Sequence, residues 1–297
     1  MRILLFGKDG QVGRELQRTL LPFGDVISFN RQSADLQNLA ELNHLLQTAK
    51  PDLIVNAAAY TAVDKAETDS ETAFKINAEA VAIMAGYAFR NDVLFVHYST
   101  DYVFDGQKTG AFVETDVTNP LGIYGLSKRM GEESIAQSQC NALIFRTSWV
   151  FSSHGNNFIK TILRLAKEKN SLNIVADQFG APTSAELIAD VTALAIAGYR
   201  SGNINSGIYH LTANGETNWH QFAHHIVDRA SGNGLQLQLD SSQIRAITTE
   251  EYPVPAKRPK NSRLDSSLLS SRLGLQLPNW TVHVNRTIDQ LTLFHKP

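Results

Sequence analysis

Tyr124 and Lys128 stand four residues apart, the spacing that stacks two side chains on one face of a helix. A phenol, with an ordinary pKa near ~10, donates a proton to a nascent alkoxide better when a nearby ammonium stabilises its phenolate. Lys128 supplies that charge, and the same ammonium can hydrogen-bond the ribose hydroxyls of a nicotinamide nucleotide. A Tyr-x-x-x-Lys pair is often no more than an exposed surface pair, so it needs company. Ser99-Thr100-Asp101 provides it, because it reads as the carboxyl end of a sheet strand, where open α/β sheets hold their ligands. There Thr100 can bind a substrate carbonyl oxygen while Tyr124 protonates it. The chemistry this implies is hydride transfer from a nicotinamide to a ketone carbon, with Tyr124 as acid, Lys128 tuning it and Thr100 orienting the oxygen.

These residues must be carried by elements, and the first half of the chain has the alternation that would do it. Short apolar runs at residues 3–6, 26–29, 53–55, 93–98 and 142–145 read as strands, separated by segments of helical period. That is the pattern of βαβ units, with right-handed crossovers and helices on both faces of a parallel sheet. Tyr124 and Lys128 fall on a helix that Asn119 and Pro120 are expected to open as N-cap and first residue. The expected fold class is α/β, a doubly wound parallel sheet of Rossmann type in residues 1–148, followed by a smaller mixed α/β substrate-binding lobe in residues 149–297. In that second part helices are expected at 158–167, 184–197 and 218–230, and strands at 173–176 and 207–211, some of these segments returning to the first domain.

Between the first strand and first helix runs Gly7-Lys8-Asp9-Gly10-Gln11-Val12-Gly13. Glycines there admit positive φ and let backbone N–H groups approach a pyrophosphate at the positive end of a helix dipole. A site strict for NAD would place an acid at the end of the second strand to accept both ribose hydroxyls. Asn30 and Arg31 stand there instead. A guanidinium can pair with a 2′-phosphate, or Arg31 is simply a solvated surface arginine, so NADPH and NADH both remain open. Asp35-Leu36 can flank an adenine, and the small residues of Asn56-Ala57-Ala58-Ala59 serve either close backbone approach to a cofactor or packing.

A chain of 297 residues with 43% hydrophobic and 19% charged residues can bury a sizeable core. No apolar run approaches the ~20 residues of a membrane span, and Ile3 to Phe6 is too short for a signal peptide. The expected setting is the cytoplasm, with no membrane partner. A single cysteine, Cys140, leaves no intramolecular disulfide and reads as a small buried hydrophobe. A net charge of −2 gives no field to gather nucleic acid. The nine histidines form no ligand pattern, since His220 and His224 lack the acid of a His-Glu-x-x-His zinc motif.

The glycine turn, the strand-end threonine and Tyr-x-x-x-Lys together resemble the extended short-chain dehydrogenase/reductases. Longer strings narrow the resemblance: residues 56–67 (NAAAYTAVDKAE), 98–104 (YSTDYVF), 146–151 (RTSWVF), 177–183 (DQFGAPT) and 258–264 (RPKNSRL). With these the chain is similar, over nearly its whole length, to the dTDP-4-dehydrorhamnose reductase family. The resemblance implies NADPH- or NADH-dependent reduction of dTDP-4-dehydro-6-deoxy-L-mannose to dTDP-L-rhamnose, a sugar donor for bacterial surface polysaccharides such as O-antigen. It implies cofactor positions at Gly7, Gly10, Gln11, Val12, Asn30, Arg31, Asp35, Leu36, Ala59, Tyr60, Thr61, Tyr98, Tyr124 and Lys128. It implies sugar-nucleotide positions at Thr100, Asp101 and Trp149, with Asn157, Phe158 and Arg258 as further candidates for the nucleotide pocket. Trp149 reads equally well as a core aromatic. The resemblance also implies a homodimer with Mg²⁺ at its interface, for which Glu15, Glu186, Asp190 and Asp289 are the candidate acids. The competing readings are a sugar-nucleotide epimerase that uses the same pair with retained NAD, and a non-catalytic regulatory relative that only binds nucleotide.

Overall fold

The computed structural model describes residues 1–293; the last four residues of the second lobe lie outside the described residues. The chain starts with β1 (Arg2–Phe6), α1 (Gln11–Thr19), β2 (Asp25–Phe29), α2 (Leu39–Ala49) and β3 (Leu53–Asn56). Two short helices follow, α3 (Val63–Ala66) and α4 (Ser70–Phe74), the latter running through a π turn at Lys75–Glu79 into α5 (Ala80–Asn91). Then come β4 (Leu94–Thr100), α6 (Ile123–Ser138) and β5 (Ala142–Thr147). The second half holds β6 (Val150–Phe151), α7 (Phe158–Glu168), β7 (Leu172–Val175), β8 (Phe179–Gly180), β9 (Thr183–Ser184) and α8 (Ala185–Arg200). It ends with β10 (Gly207–His210), β11 (Thr217–Asn218), α9 (Trp219–Gly232), β12 (Ile244–Ile247), α10 (Ser267–Leu273) and α11 (Trp280–Thr292).

One parallel sheet carries the site. Its order is β10-β5-β4-β3-β1-β2, the doubly wound arrangement that the alternation of the sequence implies. After β2 the chain crosses back through α2 to the far side of β1, so the winding reverses between β1 and β3. The crevice at the carboxyl ends of those strands is where such sheets hold their ligands. Alternation along β1 divides the core into two layers. Ile3 and Leu5 pack with Leu16 of α1 and Ile188 and Val191 of α8, whereas Leu4 and Phe6 pack with Leu42 and Leu46 of α2 and Val81 and Met84 of α5. Each such side chain taken fully from water contributes about 1.5–3 kcal/mol, which makes the strand ends a rigid platform.

The second half is not separate from this platform. β10 pairs with β5, Gly207 opposite Leu143, and α8 packs along α1. The remaining pieces, the β12–β7, β11–β8 and β6–β9 pairs with α7, α9 and α11, form a smaller region over the carboxyl ends.

The helix bearing Tyr124 and Lys128 starts later than Asn119 and Pro120 imply. Gly122 is its N-cap in extended conformation, and the free Ile123 N–H donates to Glu67 Oε1 at 2.9 Å. Asn119 turns instead to Asp105, with Nδ2 3.1 Å from Oδ2. A carboxylate 56 residues away in sequence thus satisfies an orphan donor and complements the positive helix end.

Candidate active site

The glycine turn leaves β1 with Gly7 at φ +87°, where a Cβ would lie 2.6 Å from the Ala58 nitrogen. At Gly13 a Cβ would lie 2.0 Å from the Gly7 carbonyl oxygen. Both positions therefore require glycine, one for its backbone angle and both for close approach. Gly10 has an ordinary φ of −71° and caps α1 with no side-chain hydrogen bond, so the first N–H groups of the helix face the crevice unclaimed by any cap. A cavity of about 270 Å³ opens beside the turn, and it gathers Gly7, Asn30, Arg31, Asp35, Leu36, Ala59, Tyr60 and Thr61. These eight come from four separate stretches of sequence, brought together at the switch between β1 and β3.

Within that cavity Asn30 builds its own turn. Its Oδ1 accepts the Gln32 and Ser33 N–H groups, both at 3.1 Å, and its Nδ2 donates to Asp9 Oδ2 at 2.8 Å. The turn presents Arg31, whose side chain is 77% exposed and whose Nε is 3.8 Å from Asp35 Oδ2. A weak exposed pair of this kind leaves the guanidinium available to a phosphate. Tyr60 is fixed by Asn77 of the π turn, which exchanges hydrogen bonds with its backbone at 2.9 and 3.1 Å.

Gln11, Val12 and Tyr98, three of the expected cofactor positions, do not line that cavity, and their side chains have partners elsewhere. The Gln11 side chain is spent on the second lobe, donating to the Val150 carbonyl at 3.3 Å and accepting from Asn157 Nδ2 at 2.9 Å. Val12 packs into the core. Tyr98 alternates into the same core layer as Val96, where its hydroxyl bonds Thr192 Oγ1 at 2.8 Å. Strand geometry, not ligand contact, sets the direction of that phenol.

At the end of β4 the reactive groups converge. The Thr100 hydroxyl donates to Asp101 Oδ1 at 2.9 Å and accepts the Tyr102 N–H at 3.2 Å. The ring of Tyr102 meets that of Tyr124 edge to face, centroids 5.5 Å apart. Burial pushes the Tyr124 phenol up to about 12; the Thr100 hydroxyl opposes this, and the Asp101 charge adds to it. Asp101 is 3% exposed and burial lifts its carboxyl to about 6, against the pull of Ser262 and Thr100. Ser99 Oγ, Asp101 Oδ2 and Thr147 Oγ1 are buried with no hydrogen-bond partner, and all three lie at the carboxyl ends of β4 and β5. Unspent polar atoms at this point suit a polyhydroxylated ligand.

Lys128 lies in the interior of the fold. It is 2% exposed, and its Nζ lies 3.1 Å from His97 Nε2. Burial lowers its amine to about 8, with Glu132 pulling it back up.

A second cavity, of about 560 Å³, lies over the small β7–β12 sheet, with Phe158, Leu172, Trp219, Tyr252 and Arg258 in its walls. Arg258 donates to Asp64 Oδ2 at 3.0 Å, while its Nε is buried and unpartnered, which leaves donors for an anionic group. Trp149 stacks on Trp219 at 3.7 Å with φ +49°. Trp219, which sequence reasoning passed over as one residue of a helix, lines this cavity, and Trp149 is half-buried against it. Asn157 caps α7 by accepting the Lys160 N–H at 3.2 Å.

The candidate metal acids lie in surface ion pairs. Asp190 and Glu15 face Arg18 at 2.9 and 3.8 Å, Glu186 faces Arg286 at 3.0 Å, and Asp289 faces Arg229 at 2.6 Å. Among the described residues no three His, Cys, Asp or Glu side chains of one chain group to hold a metal ion.

A doubly wound sheet with a glycine turn at its switch point and a strand-end threonine beside a Tyr-x-x-x-Lys helix defines a nicotinamide-dependent oxidoreductase of the short-chain type. The family model described as the RmlD substrate binding domain matches residues 1–293. The dTDP-4-dehydrorhamnose reductase of Burkholderia thailandensis is 48% identical over 98% of this chain and 99% of its own. The crystal structure of that reductase from Clostridium acetobutylicum superimposes with a TM-score of 0.90 at 36% identity, covering 98% of this chain and 99% of that one. Its counterpart from Bacillus anthracis, in complex with NADP, gives 0.87 at 32% identity over 97% and 99% of the two chains. The chain belongs to the dTDP-4-dehydrorhamnose reductase family. Among the described residues no helix is long and apolar enough to cross a membrane.

Proposed function

We propose that the protein reduces dTDP-4-dehydro-6-deoxy-L-mannose to dTDP-L-rhamnose with NADPH or NADH. The observation that carries the reading is the placement of Tyr124 on α6 beside Thr100 at the end of β4. Bound NAD(P)H supplies the hydride for the ketone carbon. Thr100 and Tyr124 hold the ketone oxygen, and Tyr124 gives that oxygen its proton as the alkoxide forms. A phenol raised to about 12 is protonated at neutral pH and can be the donor, and because burial makes it a weaker acid it needs a neighbouring ammonium to stabilise the phenolate it leaves. The relatives named as reductases favour this reading over an epimerase. The cavity of eight cofactor candidates holds the dinucleotide, with Arg31 facing a 2′-phosphate; that the Bacillus anthracis relative was crystallised with NADP supports a phosphorylated cofactor. The second cavity takes the nucleotide diphosphate, where Trp219 offers a face to the base and Arg258 a charge to the phosphates. Asp101 and its free Oδ2 accept from sugar hydroxyls.

A cytoplasmic homodimer completes the reading, as the family resemblance implies. Mixing the protein with NADPH or NADH and freshly generated substrate, while following nicotinamide absorbance and chromatographing the product, tests it. Cofactor oxidation yielding dTDP-L-rhamnose is the expected result. No oxidation by protein that binds NADPH would overturn the substrate assignment.

A further inference from the structure

His97 is fully buried in β4, and each of its ring nitrogens has one polar neighbour: Nδ1 is 3.2 Å from Asn56 Nδ2, and Nε2 is 3.1 Å from Lys128 Nζ. The orientation of the Asn56 amide is fixed, because its Oδ1 accepts the Ala58 N–H at 3.1 Å. Asn56 therefore offers His97 a donor. Nδ1 must accept, so the neutral imidazole carries its proton on Nε2. A doubly protonated ring would set donor against donor at Nδ1, and burial together with Lys128 holds His97 well below its ordinary range. The Nε2–H is thus aimed at Lys128. An ammonium has three donors and no acceptor, and only the neutral amine has a lone pair to receive that proton.

We propose that His97, locked by Asn56 as the Nε2–H tautomer, is a positioning residue that weakens the hold of Lys128 on its proton in the free enzyme, so that dinucleotide binding draws a proton in. The charged and titratable groups around the amine are few. Glu132 lies one turn on, but Arg146 of β5 already takes both its oxygens, at 2.9 and 2.6 Å. Tyr124 lies one turn back, Asp101 of the turn after β4 acts on Tyr124, and Asn77 of the π turn presents a neutral amide to Ser127 at 3.0 Å. Burial by itself also lowers the Lys128 amine, to about 8, and the His97 contact acts in the same direction. The inference rests on the assignment of Lys128 to the cofactor site.

The experiment is calorimetry of NADH binding in buffers of differing ionisation enthalpy, from pH 6.5 to 9.5, together with the imidazole nitrogen shifts of His97 in the free protein. NADH avoids the titration of a 2′-phosphate. The expected result is an Nε2-protonated His97 and an uptake that grows from nearly none at pH 6.5 to close to ~1 proton per site at pH 9, from the linkage of an amine restored to its ordinary affinity. Asn56→Leu frees the ring to turn its lone pair to an ammonium, and moves the midpoint of uptake up by about one pH unit or more; Asn56→Asp moves it the same way and serves if the first variant does not fold. An Nδ1-protonated ring, or a midpoint unmoved in both variants, overturns the proposal, since a purely structural His97 would alter stability alone. If NADH does not bind, the cofactor assignment falls, and titration of the Lys128 ε-methylene resonance in wild type and variants decides the His97 role by itself.

Discussion

Asp101→Asn should stabilise the cofactor-free enzyme at neutral pH and leave it unchanged in acid. The carboxyl has an ordinary value of 3.8 and is lifted to about 6 in the fold, chiefly by burial. A raised carboxyl favours the protonated folded state, so its contribution is fully present below 3.8 and is lost as pH climbs through 6. By linkage the wild type gives up about 3 kcal/mol at pH 7 but under about 1 kcal/mol at pH 4. Asparagine cannot ionise, keeps an oxygen for the Thr100 hydroxyl and is nearly the same size. Urea unfolding of both proteins at pH 4, 5.5 and 7 should show a gap that opens with pH, reaching ~1–3 kcal/mol once an imperfect amide hydrogen bond is allowed for. A variant equally destabilised at all three values would refute the reasoning, because it would mean the carboxylate is well solvated in the native state. The same variant should bind the sugar nucleotide less well, as an active-site charge retained at a cost in stability would require.

Tyr124→Phe should keep dinucleotide affinity within a few-fold in calorimetry and lower turnover by roughly 10²–10⁴-fold. Arg31→Asp should raise the KM for NADPH and spare that for NADH, and equal losses with both would remove Arg31 from the 2′-phosphate. Gly13→Ala sets a methyl against the Gly7 carbonyl, where 2.0 Å separates them, and should abolish dinucleotide binding in a protein still folded by circular dichroism. Arg146→Met strands a Glu132 that is 4% exposed and should cost about 3–5 kcal/mol in urea unfolding, most of it recovered in Arg146→Met/Glu132→Met.

The parts of the site that the sequence made legible are those where local chemistry decides the geometry. A glycine turn between an apolar run and a helical period can only sit at a strand end, and i, i+4 spacing can only stack Tyr124 on Lys128. What stayed hidden depends on partners remote in sequence. The start of α6 is set by Glu67, 56 residues upstream, and no local cap pattern marks it. The direction of the Tyr98 side chain was hidden too, because its hydroxyl meets Thr192, 94 residues away in sequence. Trp219 lines the second cavity because α9 begins against β8 through the Thr217–Asn218 bridge, a pairing with no short-range signature. His97 did carry a signal, as a polar residue inside a strand buried from Phe95 onward, which in an apolar run asks for a partner.

The catalytic helix is docked by polar contacts. Its buried side includes Ser127, Lys128 and Glu132 beside Gly125 and Gly131, and each polar group meets a specific partner: Asn77, His97 and Arg146. Apolar packing alone would let a helix slide or rotate among near-equal placements, whereas a buried bidentate pair and a directed amide bond each tolerate one register. Gly125 and Gly131 permit the approach, since a Cβ there would lie 2.1 Å from the Tyr102 carbonyl oxygen and 2.3 Å from that of Asn77. The cost is a core less stable than an apolar one of the same shape. What it secures is the position of the Tyr124 hydroxyl relative to Thr100, the distance on which proton donation depends in the proposed mechanism.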